Sequence, residues 1–315
     1  MLDMERISST LDRLKTNITS VFIGKDEIVK RVLTAFLADG HVLLEDAPGV
    51  GKTLLGQALA RSIDASFSRI QFTSDLLPSD VVGGEIYQQK TQEFQFIPGP
   101  IFANVVLADE INRTPPRSQS ATLEAMSERQ VSVGGQTYPL PKPFFVVATQ
   151  NPGEYEGVYP LPESQLDRFL LRLSIGYPDR ESELKILETH GVGTALDGVK
   201  PVLTLQESLD LQEYAKQVRL DPEIASYMLD VVDATRRSNE ILVGASPRAA
   251  IAFSRVARAY ALVSGRDYVV PDDVKTLAGA ALAHRLTPKN YRREESRRVA
   301  ESLVERILSS IEVPR

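Results

Sequence analysis

The segment EDAPGVGKTLL, residues 45–55, holds most of a phosphate-binding loop. The pattern is G-x-x-x-x-G-K-[ST], in which backbone N–H groups curl around anionic oxygens at a helix N-terminus. Gly51, Lys52 and Thr53 fill its second half, but the first glycine position is taken by Asp46. In such a loop Gly49 and Gly51 let the backbone approach closely, Lys52 reaches the β- and γ-phosphates, and Thr53 offers a hydroxyl to Mg²⁺. Aspartate tolerates turn and left-handed geometry better than most residues. Its carboxylate opposes binding only if it points at the phosphates; directed away, as a surface residue or turn cap, it leaves the loop competent.

Two further positions complete a hydrolytic site. NVVLADE (104–110) ends an apolar run on Asp109 and Glu110. Asp109 would hold Mg²⁺, directly or through water, and Glu110 would polarise the attacking water. Alone an Asp-Glu pair is weak evidence; about 56 residues after GKT it is much stronger. VVATQN places Asn151 at the end of another apolar run. Open α/β sheets bind ligands at that edge, so Asn151 is placed to position water against the γ-phosphate.

These side chains need a scaffold that collects strand ends. HVLLE (41–45), FSRIQF (67–72), NVVLAD (104–109), PFFVVAT (143–149) and FLLRLSI (169–175) read as strands. NVVLAD and PFFVVAT lack polar alternation, as strands buried on both faces of a parallel sheet do. GKTLLGQALARSI (51–63) and SQSATLEAMSE (118–128) read as helices between them, which gives a doubly wound α/β sheet. Beyond GYPD (176–179) the texture is helical: 179–190, 205–218, 221–238, 246–265 and 270–286, several opening on an acid or a Ser/Pro signal. The chain opens on a helical segment at about 3–21. Residues 74–103 interrupt the α/β rhythm, and a segment that long is usually functional. ERQVSVGGQTYPLP (128–141) reads as a hairpin turning on Gly134-Gly135. YRREESRRVAESLVERILSSI (291–311) reads as a charged helix with Glu294 and Arg298 one turn apart, either a solvated face with an apolar stripe on the helical domain or a partner-docking helix.

Composition narrows the function class. The 315 residues favour about two domains, with 43% hydrophobic and 25% charged residues and no cysteine, which excludes disulfides and thiolate chemistry and fits a reducing, cytoplasmic setting. MLDMERISST lacks the apolar region of a signal peptide, and no run reaches the length of a membrane span. A net charge of −6 and a pI near 5.3 argue against a dedicated nucleic-acid binder. His41, His190 and His284 have no metal-ligand spacing and read as structural or exposed.

Taken together, LLEDAPGVGKT, VVLADEINRTPPRSQSATLEAM, FFVVATQNPGEYEGVYPLPESQLDRFLLRL and GASPRA resemble the MoxR-type AAA+ ATPases, over about residues 20–286. The first loop position varies in that family, so Asp46 is no sign of decay. The resemblance implies an AAA+ core, a five-stranded parallel sheet over 1–177, and a smaller all-helical lid over 178–315, with ATP in the cleft between them. It implies a Walker A segment over Pro48, Gly49, Val50, Gly51, Lys52, Thr53 and Leu54, with Mg²⁺ at Thr53 and Asp109. Glu110 matches the Walker B glutamate, Asn151 sensor 1, Arg168 in QLDRF the arginine finger, and Arg248 in GASPRA sensor 2. Ile23 and Gly24 match the segment near adenine. Residues 74–103 match the helix-2 insertion and 128–141 the hairpin before sensor 1, both of which tend to face the ring pore or a client. Whether Arg248 acts within its own subunit or across an interface stays open, and Arg113 is a further candidate to cross one. An arginine supplied by a neighbour stabilises transition-state charge and makes hydrolysis depend on assembly.

The function so implied is a remodelling, chaperone-like ATPase working as a ring, usually a hexamer, with a von Willebrand factor A domain partner and a client protein or a metalloenzyme under maturation. A chelatase-like or nucleic-acid motor subunit of the same clade is the alternative. The hairpin carries no Lys or Arg between Val131 and Leu140, which disfavours tracking along DNA. A scaffold that binds ATP without hydrolysing it is a third reading, against which Glu110, Asn151 and Arg168 argue.

Overall fold

A computed structural model of the chain describes residues 4–151, 157–190, 195–289 and 293–314. In chain order, α1 (Met4–Thr19) and α2 (Asp26–Leu37) lead to β1 (Val42–Glu45), α3 (Lys52–Ser62) and β2 (Phe67–Gln71). Then come α4 (Pro78–Val82), the strands β3 (Gly83–Gln88) and β4 (Glu93–Pro98), β5 (Val105–Asp109) and α5 (Pro116–Glu128). The hairpin strands β6 (Gln130–Val133) and β7 (Gln136–Pro139) precede β8 (Phe145–Gln150), α6 (Glu163–Leu166) and β9 (Leu171–Leu173). The remainder is α7 (Arg180–His190), α8 (Leu205–Gln217), α9 (Pro222–Arg237), β10 (Ile241–Val243), α10 (Pro247–Val263), α11 (Pro271–Leu282), β11 (Thr287–Pro288) and α12 (Arg293–Ser310).

All five apolar runs become strands of one sheet, in the order β2-β5-β8-β1-β9, with every pairing parallel. β1 and β5 are buried along their whole length, which is why their sequences show no alternation. Because the strands are parallel, Glu45, Gln71, Asp109 and Gln150 all arrive at one edge of the sheet. Their amino ends, including His41, lie at the other.

The helical half follows the capping signals. Thr204 accepts from the Glu207 N–H and closes a capping box at α8, Asp221 accepts from Glu223 at α9, and Ser246 accepts from Ala249 at α10. Two details differ from the sequence reading. The lid is not wholly helical, since Ile241 pairs antiparallel with Pro288 and Val243 with Thr287. Short β-branched runs meet there, and Pro288, lacking an N–H, helps keep the ladder short. The helix read over 270–286 ends at Leu282, followed by a 3-10 turn over Ala283–Arg285.

The interruption at 74–103 has structure of its own. α4 is followed by the antiparallel pair β3–β4, with Tyr87 opposite Phe94. This hairpin docks on the β6–β7 hairpin through Phe96 stacked on Tyr138, ring centroids 3.9 Å apart. Gly134 and Gly135 both adopt positive φ, 59° and 78°, as the two-residue turn requires.

The sequence reading passed over α2, although Asp26 and Glu27 open it and Val29, Val32, Leu33 and Phe36 line one face at helical spacing. α2 joins the two halves. Phe36 meets Phe145 of β8 edge to face at 5.6 Å. From the lid, Gln212 Nε2 donates to the Phe36 carbonyl at 2.7 Å, and Arg255 Nη2 to those of Ala38 and Asp39. One continuous apolar core therefore runs from α1, α2 and one face of the sheet into α10 and α11. No described helix is long and apolar enough to cross a membrane.

Truncation of Phe36, 1% exposed at this junction, is expected to cost about 3–5 kcal/mol. Urea unfolding of Phe36→Ala followed by circular dichroism checks it, with both halves losing stability in one transition.

Candidate nucleotide site

β1 delivers the chain into the loop at 46–51, and α3 begins at Lys52. Gly49 and Gly51 have φ of 85° and 91°. A Cβ on Gly49 would meet nothing within 4 Å, so this glycine is needed for its backbone angle. At Gly51 a Cβ would also sit 2.9 Å from the Phe22 ring. Lys52 is almost buried, and its Nζ donates to the Asp46 carbonyl at 2.9 Å, across the loop.

The Asp46 carboxylate turns away from the loop. Its Oδ1 accepts from Ser174 Oγ at 2.9 Å and from the Gly176 N–H at 3.0 Å, and its Oδ2 accepts from the Ile175 N–H at 2.5 Å. The residue thus fastens the root of the phosphate loop to the segment leading from β9 into the lid, and its charge is absorbed by backbone and hydroxyl donors.

A cavity beside the loop is walled by Phe22, Ile23, Val50, Leu54, Pro178 and Ile186, with Gly49, Gly51 and Gly176. Ile23, named above for the segment near adenine, is among the residues lining this cavity. Gly24 does not line the cavity; its φ of 75° and its contact with Ser182, whose Oγ would lie 2.0 Å from a Cβ, make it a packing position. Pro48 is exposed at the loop tip, and Thr53 is half-buried in the first turn of α3. Phe22, Pro178 and Ile186 escaped the sequence reading because they are ordinary apolar residues whose role depends on long-range packing.

At the neighbouring strand end, Asp109 Oδ1 accepts from Thr149 Oγ1 at 2.7 Å, and its Oδ2 from Arg69 Nε and Nη2 at 3.1 and 2.6 Å. Glu110 has left-handed backbone, φ 58° and ψ 49°. Its N–H donates to Thr149 Oγ1 at 2.8 Å, so one threonine sets both acids. The Glu110 carboxylate meets Arg113 Nε at 2.9 Å and Gln71 Nε2 at 3.2 Å. Strain at a non-glycine residue beside a bound acid is common where geometry serves chemistry. Arg113, offered as a residue that crosses an interface, pairs here with its own subunit's Glu110. Asn151 is half-buried at the end of β8. The oxygens of Thr53 and Asp109 suit a hard cation such as Mg²⁺, and the glycine cradle with Lys52 suits a polyphosphate.

Arg168 and Arg248 lie elsewhere, together. Both line a cavity of about 340 Å³ with Asp39, His41, Arg129, Asp167, Arg255 and Arg285. It lies at the amino edge of the sheet, where the Leu170 N–H donates to the His41 carbonyl at 2.8 Å. Arg168 Nη1 donates to the Leu123 carbonyl at 2.8 Å and to Ser127, while Arg248 is exposed at the start of α10. Arg285 is buried and pairs with Asp167 at 3.1 Å, and burial lowers its pKa to about 10. Asp39 Oδ1 accepts from Arg129 Nη2 at 2.8 Å.

Two of the histidines are buried, as the structural reading expected; the His190 side chain lies outside the described residues. His41 Nδ1 accepts from the Val146 N–H at 3.0 Å, so Nε2 carries the proton toward the Met126 carbonyl at 3.1 Å. Burial, then Arg129, lowers its pKa to about 3. Burial, then Arg285, holds His284 well below its ordinary value.

Asp46→Gly, which restores the glycine pattern, is expected to lose about 2–4 kcal/mol by stranding buried donors without tightening nucleotide binding; calorimetric unfolding and titration with a fluorescent ADP analogue read the two effects. Arg69→Ala is expected to lower the Mg²⁺ concentration needed for nucleotide-dependent stabilisation, because Asp109 loses a competing cation; Mg²⁺ titrations of melting temperature check it. The neutral His41 imidazole takes up its proton on unfolding, so between pH 6.5 and about 3 the unfolded state binds more protons. Stability falls as pH drops through that window, by up to about 1.4 kcal/mol per unit, and His284 acts in the same direction. Urea midpoints at pH 7 and pH 5 should differ less in His41→Asn than in the parent chain.

Comparison with known proteins gives this geometry its relatives. The family model "ATPase family associated with various cellular activities (AAA)" matches residues 41–171, and "AAA lid domain" matches 233–307. The chain is similar to the uncharacterised protein YeaC of Bacillus subtilis, 49% identical over 100% of this chain and 98% of that one. It is 44% identical to Chaperone MoxR1 of Mycobacterium tuberculosis, over 97% of this chain and 82% of that protein, and 26% identical to Protein MoxR of Methylorubrum extorquens over 96% and 94%. A crystallised protein of Cytophaga hutchinsonii named as a candidate ATPase superposes with a TM-score of 0.89 at 37% identity, covering 99% of this chain and 97% of that one. An AAA core and lid on a five-stranded parallel sheet, with relatives of this identity along the whole chain, make it an ATPase: the chain belongs to the MoxR-type AAA+ family.

Proposed function

We propose that this ATPase is a chaperone-like remodelling motor whose hydrolytic site is completed by a neighbouring subunit. One observation carries the reading. The phosphate loop follows β1 at the carboxyl edge of the sheet, whereas Arg168 and Arg248 share a cavity with Gly40 and His41, which precede β1. The four residues of β1 separate the two features by about 13 Å of strand. One chain cannot bring both to the same phosphate, but a head-to-tail neighbour can, and such contacts close into rings. Their shared cavity supports the reading that Arg248 serves the neighbour, alongside Arg168.

Within the subunit, Lys52 and the N–H groups of the glycine loop would hold the phosphates, and Thr53 and Asp109 would supply oxygens to Mg²⁺, which would contribute charge neutralisation at the phosphate oxygens. Glu110, released by Arg113 and Gln71, orients water from its strained backbone, and Asn151 fixes that water's position. Arg168 has five N–H donors and, among the described residues, bonds through Nη1, so others remain for a neighbour's γ-phosphate. The hairpins β3–β4 and β6–β7, with Ile86, Tyr87 and Phe94 exposed, are the surfaces offered to a client. A hexamer, a von Willebrand factor A domain partner and a cytoplasmic setting complete the proposal. The chelatase-like or nucleic-acid alternative gains no support from the hairpin, which lacks basic residues from Ser132 to Pro139.

Mixing two inactive variants tests it. Glu110→Gln keeps both arginines; Arg168→Ala/Arg248→Ala keeps an intact loop and Walker B pair. If the arginines act across the interface, a 1:1 mixture regains hydrolysis at about a quarter of its interfaces, while each variant alone stays down about 10³-fold or more. A mixture as inactive as its components would return at least one of the arginines to its own subunit.

A further inference from the structure

Glu45, the last residue of β1, is a carboxylate 5% exposed in an otherwise apolar strand. Its Oε2 accepts from Arg297 Nη1 of α12 at 2.7 Å. Its Oε1 accepts from Gln150 Nε2 and lies 3.9 Å from Arg172 Nη1. Glu301, one turn beyond Arg297, meets Arg297 Nε at 3.1 Å and Arg172 Nη2 at 3.7 Å. Two acids and two arginines thus balance in a mostly buried network. Such networks add little stability over apolar replacements, because desolvation offsets attraction. Their value lies in orientation.

The orientation concerns the reacting groups. Glu45 stands one residue before Asp46 and the phosphate loop, and its partner Gln150 stands one residue before Asn151. The two neighbouring carboxylates face opposite ways: Asp46 to the segment entering the lid, Glu45 to α12, the lid's last helix. The root of the phosphate loop is therefore held from both ends of the lid.

We propose that Glu45 is a positioning residue, which, with Arg297 and Gln150, fixes the phosphate loop and Asn151 relative to α12 and carries nucleotide-state changes to that helix. The proposal rests on the ATPase reading above. The Glu45 carboxylate is turned to Arg297 and Gln150, and it acts through the backbone on either side of it.

The test uses the full chain with Glu45→Gln, and Arg297→Gln as a second variant. Arg297 is partly exposed on its helix, so its replacement answers the question even where Glu45→Gln does not fold. Three readouts are taken: kcat for Mg²⁺-ATP, the dissociation constant of a fluorescent ADP analogue, and hydrogen exchange of α12 with and without ADP. The proposal expects kcat to fall about tenfold or more, as small misplacement of reacting groups does, with affinity changed less than about twofold. It also expects the ADP-dependent change in α12 exchange to vanish. A variant with parental kcat and an intact α12 response overturns the proposal while leaving the ATPase reading standing. So does a parallel loss of affinity, kcat and melting temperature, which marks a merely structural pair. A parent chain that neither binds nor hydrolyses nucleotide removes the ATPase reading, and this proposal with it.

Discussion

Five strands running in one direction give a sheet two chemically unlike edges, and the rest of the molecule is organised around that difference. At the carboxyl edge the chain leaves β1 as the phosphate loop, β5 as the Asp109-Glu110 pair and β8 as Gln150-Asn151. At the amino edge it enters β1 through His41 and β9 through Arg168. Backbone dipoles at a helix N-terminus favour anions at the first edge; at the second, guanidinium groups await an anion from elsewhere. On the function proposed above, a subunit built this way holds half of its reaction at each face, and catalysis is a property of contact between copies.

Much of this was legible in the sequence because it depends on short-range order. A strand buried on both faces must be apolar throughout, so NVVLAD and PFFVVAT announced the sheet's centre. Paired glycines announced the β6–β7 turn, and Ser, Thr or Asp before a helical run announced the lid's helix starts. The loop and the acids were found by type and spacing, and Arg168 through the family resemblance. What escaped was decided across long sequence separations. Nothing local says that Asp46 will find its donors at 174–176, that Arg69 will clasp Asp109, or that α12 will reach Glu45. A lone glutamate closing an apolar strand was the available signal for the last of these. The charged helix at 291–311 was read as packing by its apolar stripe, and Leu303 and Val304 do pack. Its proposed Glu294–Arg298 pair falls on a side chain outside the described residues.

Asp46 shows how a departure from a motif is to be judged. A motif position is a demand on backbone geometry first and on side-chain chemistry second. Glycine meets the first demand by being small; here aspartate meets it with a carboxylate whose three donors lie outside the loop. The loop keeps its anion-binding N–H groups, and the chain gains a fastening between nucleotide site and lid that glycine cannot make.

The amino-edge arginines have one more consequence. Arg248 opens the helix whose Arg255, two turns on, is bonded to the Ala38 and Asp39 carbonyls, and Arg168 is held against the end of α5. Both side chains belong to elements already fixed in the single subunit. Their segments' conformational entropy is lost when the chain folds, not when copies meet. On the function proposed above, a neighbour's phosphate would meet a preorganised receptor, and association would carry little further ordering cost.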